Sequence, residues 1–172
     1  MTSHDTIALI GPPAAGKSRV GKRLAKLLRL PFVDTDAVVV ALHGPIPEIF
    51  TTHGEPYFRE RERAAVADAL RHPGIVSLGG GAVLDPAPQA DLAGARVVLL
   101  TVQPEAIAAR ITNGKRPLIT DLDSWKRLVA SRSELYESLA DYTADTSSRP
   151  IDTIAAEIAA WVRDGGDTEG HQ

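Results

Sequence analysis

Residues 11–18 read Gly11-Pro12-Pro13-Ala14-Ala15-Gly16-Lys17-Ser18, a fit to the pattern G-x-x-x-x-G-K-[ST]. The glycines clear side chains from the backbone so that its N–H groups can converge on an anion. The lysine adds a mobile positive charge, and the serine hydroxyl is a hard oxygen ligand for Mg²⁺. The pattern acts this way only between a strand and a helix, and both are present. Thr6-Ile7-Ala8-Leu9-Ile10 is a short apolar run of the kind buried in a parallel sheet, and residues 18–28 place apolar side chains at helical spacing. The chemistry expected is the binding of nucleotide phosphates at a helix N-terminus. Its candidate residues are Gly11, Ala14, Ala15, Gly16, Lys17 and Ser18. Arg19 stands where many such loops carry a second hydroxyl; it either brings another cation to the phosphates or points to solvent.

Further clusters have the residue types a group transfer from that nucleotide needs. Asp34 and Asp36 flank Thr35 just after a short strand, so two acids can share one cleft. Asp34 can hold Mg²⁺ directly or through water, and Asp36 either takes a proton or hydrogen bond from a substrate hydroxyl or caps the helix beginning beside it. Phe58-Arg59-Glu60-Arg61-Glu62-Arg63 is a charged helix start whose simplest reading is a solvated face. Arg59 and Glu62, three apart, can instead turn into a cleft, where the carboxylate orients the guanidinium for bidentate capture of a substrate carboxylate. Gly79-Gly80-Gly81 follows an apolar run and costs more backbone entropy than a plain turn demands, which points to close approach of a ligand or to a flexible turn. Arg110, Arg116 and Arg132 form a basic set, and Asn113-Gly114-Lys115-Arg116-Pro117-Leu118 breaks the helical pattern. A mobile lid is expected there, about residues 111–123, with Arg116 opposite the transferring phosphoryl group. The histidines show no metal-ligand spacing, so His43, His53 and His72 read as surface or turn residues. Trp125 and Trp161 read as packing anchors.

Positioning these clusters requires strands and helices in alternation. Strands are predicted at 6–10, 32–34, 75–78, 96–102 and 142–145. Helices are predicted at 17–28, 36–42, 46–53, 55–70, 87–92, 104–111, 123–139 and 151–163. That order is the signature of an α/β fold, a parallel sheet covered by helices on both faces, with ligands beyond the carboxyl ends of the strands. The chain's 172 residues, 44% of them hydrophobic, suit one domain, taken as residues 1–163. Residues 164–172 are polar and glycine-rich, and are expected to form a disordered tail. A net charge of −3 gives no basic field for tracking nucleic acid, so a small molecule is the expected partner. The absence of cysteine excludes disulfides and thiol chemistry. Without a leader-like N-terminus or an apolar run long enough to span a bilayer, no membrane partner is expected, and the cytoplasm is the expected location.

Taken together, these motifs resemble the shikimate kinase family, small P-loop kinases. Residues 11–18, Asp34-Thr35-Asp36, Phe58-Arg59 with Glu62, Gly79-Gly80-Gly81, Arg116-Pro117-Leu118 and Arg132 with Leu135-Tyr136 occur in the family's order and near its spacing. The phosphate loop alone is generic; the other motifs in combination are far more specific. The resemblance implies a three-layer α/β/α P-loop kinase fold with a five-stranded parallel sheet and a mobile lid. It implies transfer of the γ-phosphoryl of ATP to the 3-hydroxyl of shikimate, with Mg²⁺ as cofactor; a monomer is the expected working unit. By the same resemblance Lys17 cradles phosphates, Ser18 and Asp34 hold the metal, and Asp36 holds the reacting hydroxyl. Arg59 and Arg132 clamp the carboxylate, Glu62 orients Arg59, Gly80 and Gly81 line the pocket, and Arg116 neutralises the moving phosphoryl. Arg110 and Arg149 lie around the nucleotide base. Three departures from the family pattern are Arg19 in place of a threonine, a segment at Gly44-Pro45-Ile46-Pro47 that is a residue short, and Ser133-Glu134 in place of an apolar residue and a proline.

Overall fold

The computed structural model describes residues 5–111 and 122–165. Five strands, β1 (Thr6–Ile10), β2 (Phe32–Asp34), β3 (Gly74–Ser77), β4 (Arg96–Thr101) and β5 (Tyr142–Asp145), form one sheet in the order β2-β3-β1-β4-β5. Every pairing is parallel, with Ala8 opposite Val76 on one side and Val97 on the other. Parallel strands need crossovers, and helices supply them: α1 (Lys17–Leu28), α2 (Thr35–His43), α3 (Ile46–His53), α4 (Glu55–Ala69), α5 (Pro86–Leu92), α6 (Pro104–Ile111), α7 (Leu122–Leu139) and α8 (Ile151–Arg163). This is the expected three-layer arrangement. The expected lid falls almost wholly on residues 112–121, outside the described residues, as do Arg116 and residues 166–172 of the expected tail. Among the described residues no helix is long and apolar enough to cross a membrane.

Alternation along the central strands divides the core in two. Ile7 and Leu9 of β1, with Val98 and Leu100 of β4, face α1 and α8, where Val20, Leu24, Ile154 and Ile158 complete a fully buried layer. Ala8, Ile10, Val97 and Leu99 face the opposite side, packed on Val66 of α4, Leu92 of α5 and Tyr136 of α7. Two glycines allow close approaches in this scaffold: a Cβ on Gly21 would lie 2.5 Å from the Phe32 ring, and one on Gly11 would lie 2.3 Å from the Leu100 carbonyl oxygen. A third, smaller cluster of Val39, Ile49 and Phe58 ties α2, α3 and α4 into a wall beyond the strand ends. Helix α7 belongs to both main layers, because Trp125 packs with the first and Tyr136 with the second. The eleven residue steps from one to the other span about 16 Å of helix, enough to carry α7 over the edge of the sheet where the loops converge.

Predicted and observed boundaries differ by a residue or two. β3 begins at Gly74, whose φ of +153° suits glycine, and ends at Ser77 rather than Leu78. α2 begins at Thr35 because Asp34 caps it. A 3-10 turn at Ala82–Leu84 follows the triple glycine and was not among the predicted elements.

Candidate active site

The phosphate loop connects β1 to α1 at the carboxyl end of the sheet, and its conformation depends on residues with unusual backbone angles. Gly16 has φ +87° and caps α1, and Gly11 has φ +145°. Ala14 has φ +68°, a left-handed conformation that costs an alanine about 1–2 kcal/mol. Hydrogen bonds hold the loop from outside. Lys17 Nζ donates to the Gly11 and Pro12 carbonyls at 2.7 and 3.0 Å. Trp125 Nε1 donates to the Pro13 carbonyl at 2.9 Å, Arg110 to the Ala14 carbonyl at 2.5 Å, and the Thr146 hydroxyl to the Ala15 carbonyl at 2.7 Å.

Beside the loop, the Ser18 hydroxyl donates to Asp34 Oδ2 at 2.7 Å. The other Asp34 oxygen caps α2, accepting from the Asp36 and Ala37 amides at 3.0 and 3.2 Å. The cap is therefore Asp34 rather than Asp36, and the Asp36 carboxylate is left to face the cleft. Ser18 and Asp34 place two hard oxygens side by side, which fits Mg²⁺, an ion that takes one or two protein oxygens and completes its shell with water and phosphate. Among the described residues no group of three His, Cys, Asp or Glu side chains is arranged to hold a metal ion.

Across the cleft, Glu62 is only 3% exposed and its Oε1 accepts from Arg59 Nη1 at 2.8 Å. The solvated reading of this stretch holds for Glu60, whereas Arg63 is taken by Asp85 at 2.6 Å. Burial raises the Glu62 carboxyl above its usual range, partly offset by Arg59. Burial opposes the Arg59 charge, but its hydrogen bond to Glu62 and the charges of Glu62 and Glu55 outweigh this and hold its pKa above the ordinary value. Burial, then the Asp34 charge, pushes the Asp36 carboxyl up, with Lys17 and Arg59 pulling it back. One oxygen of Asp36, Oδ1, is buried with no hydrogen-bond partner. An acceptor left bare in this way at the wall of a cleft is open to a donor from a bound molecule.

The triple glycine explains how these groups meet. None of Gly79, Gly80 and Gly81 has a positive φ, so conformational freedom is not their use. A Cβ on Gly79 would lie 2.7 Å from Asp36 Oδ1, one on Gly80 3.2 Å from Pro13 Cδ, and one on Gly81 2.8 Å from Arg59 Nη1. What comes close to these glycines is the chain itself: Asp36 and Glu62 at Gly79, Pro13 at Gly80 and Arg59 at Gly81. Tyr136 holds the loop from behind, donating to the Gly80 carbonyl at 2.6 Å.

Lys17, Ser18, Asp34, Asp36, Arg59, Glu62, Gly79, Gly80, Gly81 and Arg132 thus line one cleft of about 750 Å³, in the range of small-molecule sites. Arg19 is not brought into it: the residue is exposed on the outer face of α1 with Lys22, Arg23 and Lys26. Arg110 also bonds the Thr146 carbonyl at 2.7 Å, joining the phosphate loop to the turn after β5. Arg149 sits on that turn, paired with Glu157. Trp125, Thr146 and Tyr136 are the residues that sequence reasoning left out of the site. Their donors act on backbone carbonyls 112, 131 and 56 residues away, and no spacing in a sequence encodes such a pair.

The family model for shikimate kinase matches residues 13–163, from inside the phosphate loop to the end of α8. The chain belongs to the shikimate kinase family. A shikimate kinase of Thermobifida fusca is 41% identical over 172 residues, 97% of this chain and 100% of that protein. The solved shikimate kinase of Acinetobacter baumannii, in complex with shikimate, superposes with a TM-score of 0.86 at 30% identity, covering 93% of each chain. A gluconokinase of Sinorhizobium meliloti superposes at 0.64 with 20% identity, covering 96% of this chain and 95% of its own, a likeness of fold alone. In this chain the Asp36, Arg59, Glu62 and triple-glycine motifs meet in the same cleft as the phosphate loop.

Proposed function

We propose that this shikimate kinase family member transfers the γ-phosphoryl of ATP to the 3-hydroxyl of shikimate, giving shikimate 3-phosphate and ADP. The observation that carries the reading is one cleft holding a phosphate loop at one end and, at the other, Arg59 paired with the buried Glu62 beside Asp36 and Arg132. A planar, pre-oriented guanidinium with a second arginine suits a carboxylate, and a bare carboxylate between them and the loop suits a hydroxyl. Phosphoryl transfer asks for alignment and charge stabilisation more than for covalent chemistry.

In this reading Lys17 and the backbone of Gly11, Ala14, Ala15 and Gly16 hold the ATP phosphates. Ser18 and Asp34 hold Mg²⁺, which supplies charge neutralisation on the phosphates when bound. Asp36 orients the attacking hydroxyl and accepts its proton. Arg59 and Arg132 bind the shikimate carboxylate, Glu62 fixes the Arg59 fork, and Gly80 and Gly81 line the acid's pocket. Arg110 and Arg149 flank the nucleoside. Arg116, outside the described residues, neutralises the phosphoryl in flight from a lid at about 111–123. The proposal extends to one catalytic domain over residues 1–163, acting as a monomer in the cytoplasm, without nucleic acid or membrane partners.

Coupled measurement of ADP release tests the reading. ATP consumption that depends on shikimate and not on gluconate is expected; turnover with gluconate and none with shikimate overturns it.

A further inference from the structure

The six carbonyls from Gly11 to Gly16 each have a donor: Lys17 serves Gly11 and Pro12, Trp125 serves Pro13, Arg110 serves Ala14, Thr146 serves Ala15, and the Val20 amide serves Gly16 at 2.9 Å. A trans peptide points its N–H opposite to its carbonyl, so each bond that fixes a carbonyl also aims the next residue's N–H. The bond from Trp125 fixes the Pro13–Ala14 peptide, and Ala14 is the one residue of the loop that is strained without being glycine, at φ +68°. The indole is 2% exposed and packed in the core, so its N–H has a fixed direction. The Pro13 carbonyl faces α7, and the Ala14 N–H faces away from it.

We propose that Trp125 is a positioning residue for the phosphoryl donor: its indole N–H restrains the strained Pro13–Ala14 peptide in the orientation that presents the Ala14 amide to nucleotide phosphate. The proposal rests on the reading of the loop as the ATP site. It assigns to a side chain that resembles simple core packing a duty in one half of the cleft only. If relaxation of Ala14 is what the indole prevents, glycine at that position removes the need for it, since glycine adopts the left-handed conformation without strain.

Binding of ADP and of shikimate, each measured by calorimetry, tests this. In Trp125→Phe the ring body stays and the N–H is lost; the Kd for ADP is expected to rise about fivefold, the worth of one ordinary hydrogen bond, with the Kd for shikimate unchanged within twofold. Trp125→Phe combined with Ala14→Gly is expected to bind ADP within twofold of Ala14→Gly alone. An unchanged Kd for ADP, an equal rise for both ligands, or no rescue by glycine overturns the proposal and leaves packing as the role of Trp125. If Trp125→Phe does not fold, Trp161→Phe leaves Trp125 as the sole tryptophan. Its emission is then expected to change with ADP and not with shikimate, and no response to ADP overturns the proposal. Wild-type turnover of shikimate, measured alongside, separates a failure of this inference from a failure of the function.

Discussion

Replacing Asp36 by asparagine should move activity and stability in opposite directions. The carboxylate is raised in pKa by burial and by Asp34, against the pull of Lys17 and Arg59, and its Oδ1 is buried without a partner. For an acid whose folded pKa lies above its unfolded one, the folded state holds the proton more tightly. Its penalty is absent below the ordinary aspartate value and grows as pH rises through the raised one. Above the raised value the folded protein carries that penalty in full. An unsatisfied buried acceptor costs about 1–3 kcal/mol, and an amide of the same shape recovers part of it, roughly 1 kcal/mol. At this chain length that corresponds to a rise in Tm of about 2–4 °C, expected at pH 7 and absent near pH 4. Loss of the proton acceptor should lower kcat by about 10²–10⁴. Calorimetric melting at the two pH values, with steady-state kinetics on the same preparations, measures both effects. Near-normal turnover in the folded variant refutes the acceptor role. A Tm that is unchanged, or that shifts equally at both pH values, refutes the desolvation argument.

Other expectations follow from the same geometry. Arg59→Lys, which replaces a fork fixed by Glu62 with a point charge, should raise the KM for shikimate at least about tenfold while leaving the KM for ATP within twofold, as steady-state kinetics can check. Gly81→Ala places a Cβ 2.8 Å from the end of the Arg59 side chain, which swings aside, so the shikimate KM should rise with little change in Tm. Gly11→Ala meets a backbone oxygen at 2.3 Å and a φ of +145°, with no flexible neighbour to yield; about 3 kcal/mol of strain and overlap should lower Tm by about 6–12 °C. Because the Asp36 carboxyl is pushed up in the free protein and must be ionised to take a proton, the acid limb of the kcat/KM profile should lie above the usual aspartate range and disappear in Asp36→Asn.

Much of this was legible in the chain because local physics and global fold agree. The apolar run before Gly11 and the helical spacing after Ser18 predicted β1 and α1 at the observed bounds, since buried parallel strands and amphipathic helices leave strong periodic traces. Phe58-Arg59 with Glu62 was legible as a motif, although charge patterning alone pointed to a solvated face; only the fold shows Glu62 buried against Arg59. Asp34 and Asp36 were read as a pair, but their division of labour depends on where α2 begins, a matter of one residue that propensity does not decide. The triple glycine was read as room for a ligand or a flexible turn, whereas the atoms crowding it belong to Asp36, Glu62, Pro13 and Arg59 of the chain itself, which no local pattern announces. Trp125 was read as packing because its partner, the Pro13 carbonyl, is remote in the chain and carries no side-chain signature.

The central claim is that one cleft aligns the γ-phosphoryl of ATP with one hydroxyl of shikimate. The phosphorus–proton couplings of the product, read by nuclear magnetic resonance after turnover, test it most directly. Coupling of the new phosphate to the proton at carbon 3 of shikimate, in amount equal to the ADP formed, is the expected result. Phosphate on another hydroxyl, or ADP accompanied by inorganic phosphate with shikimate unchanged, would contradict it.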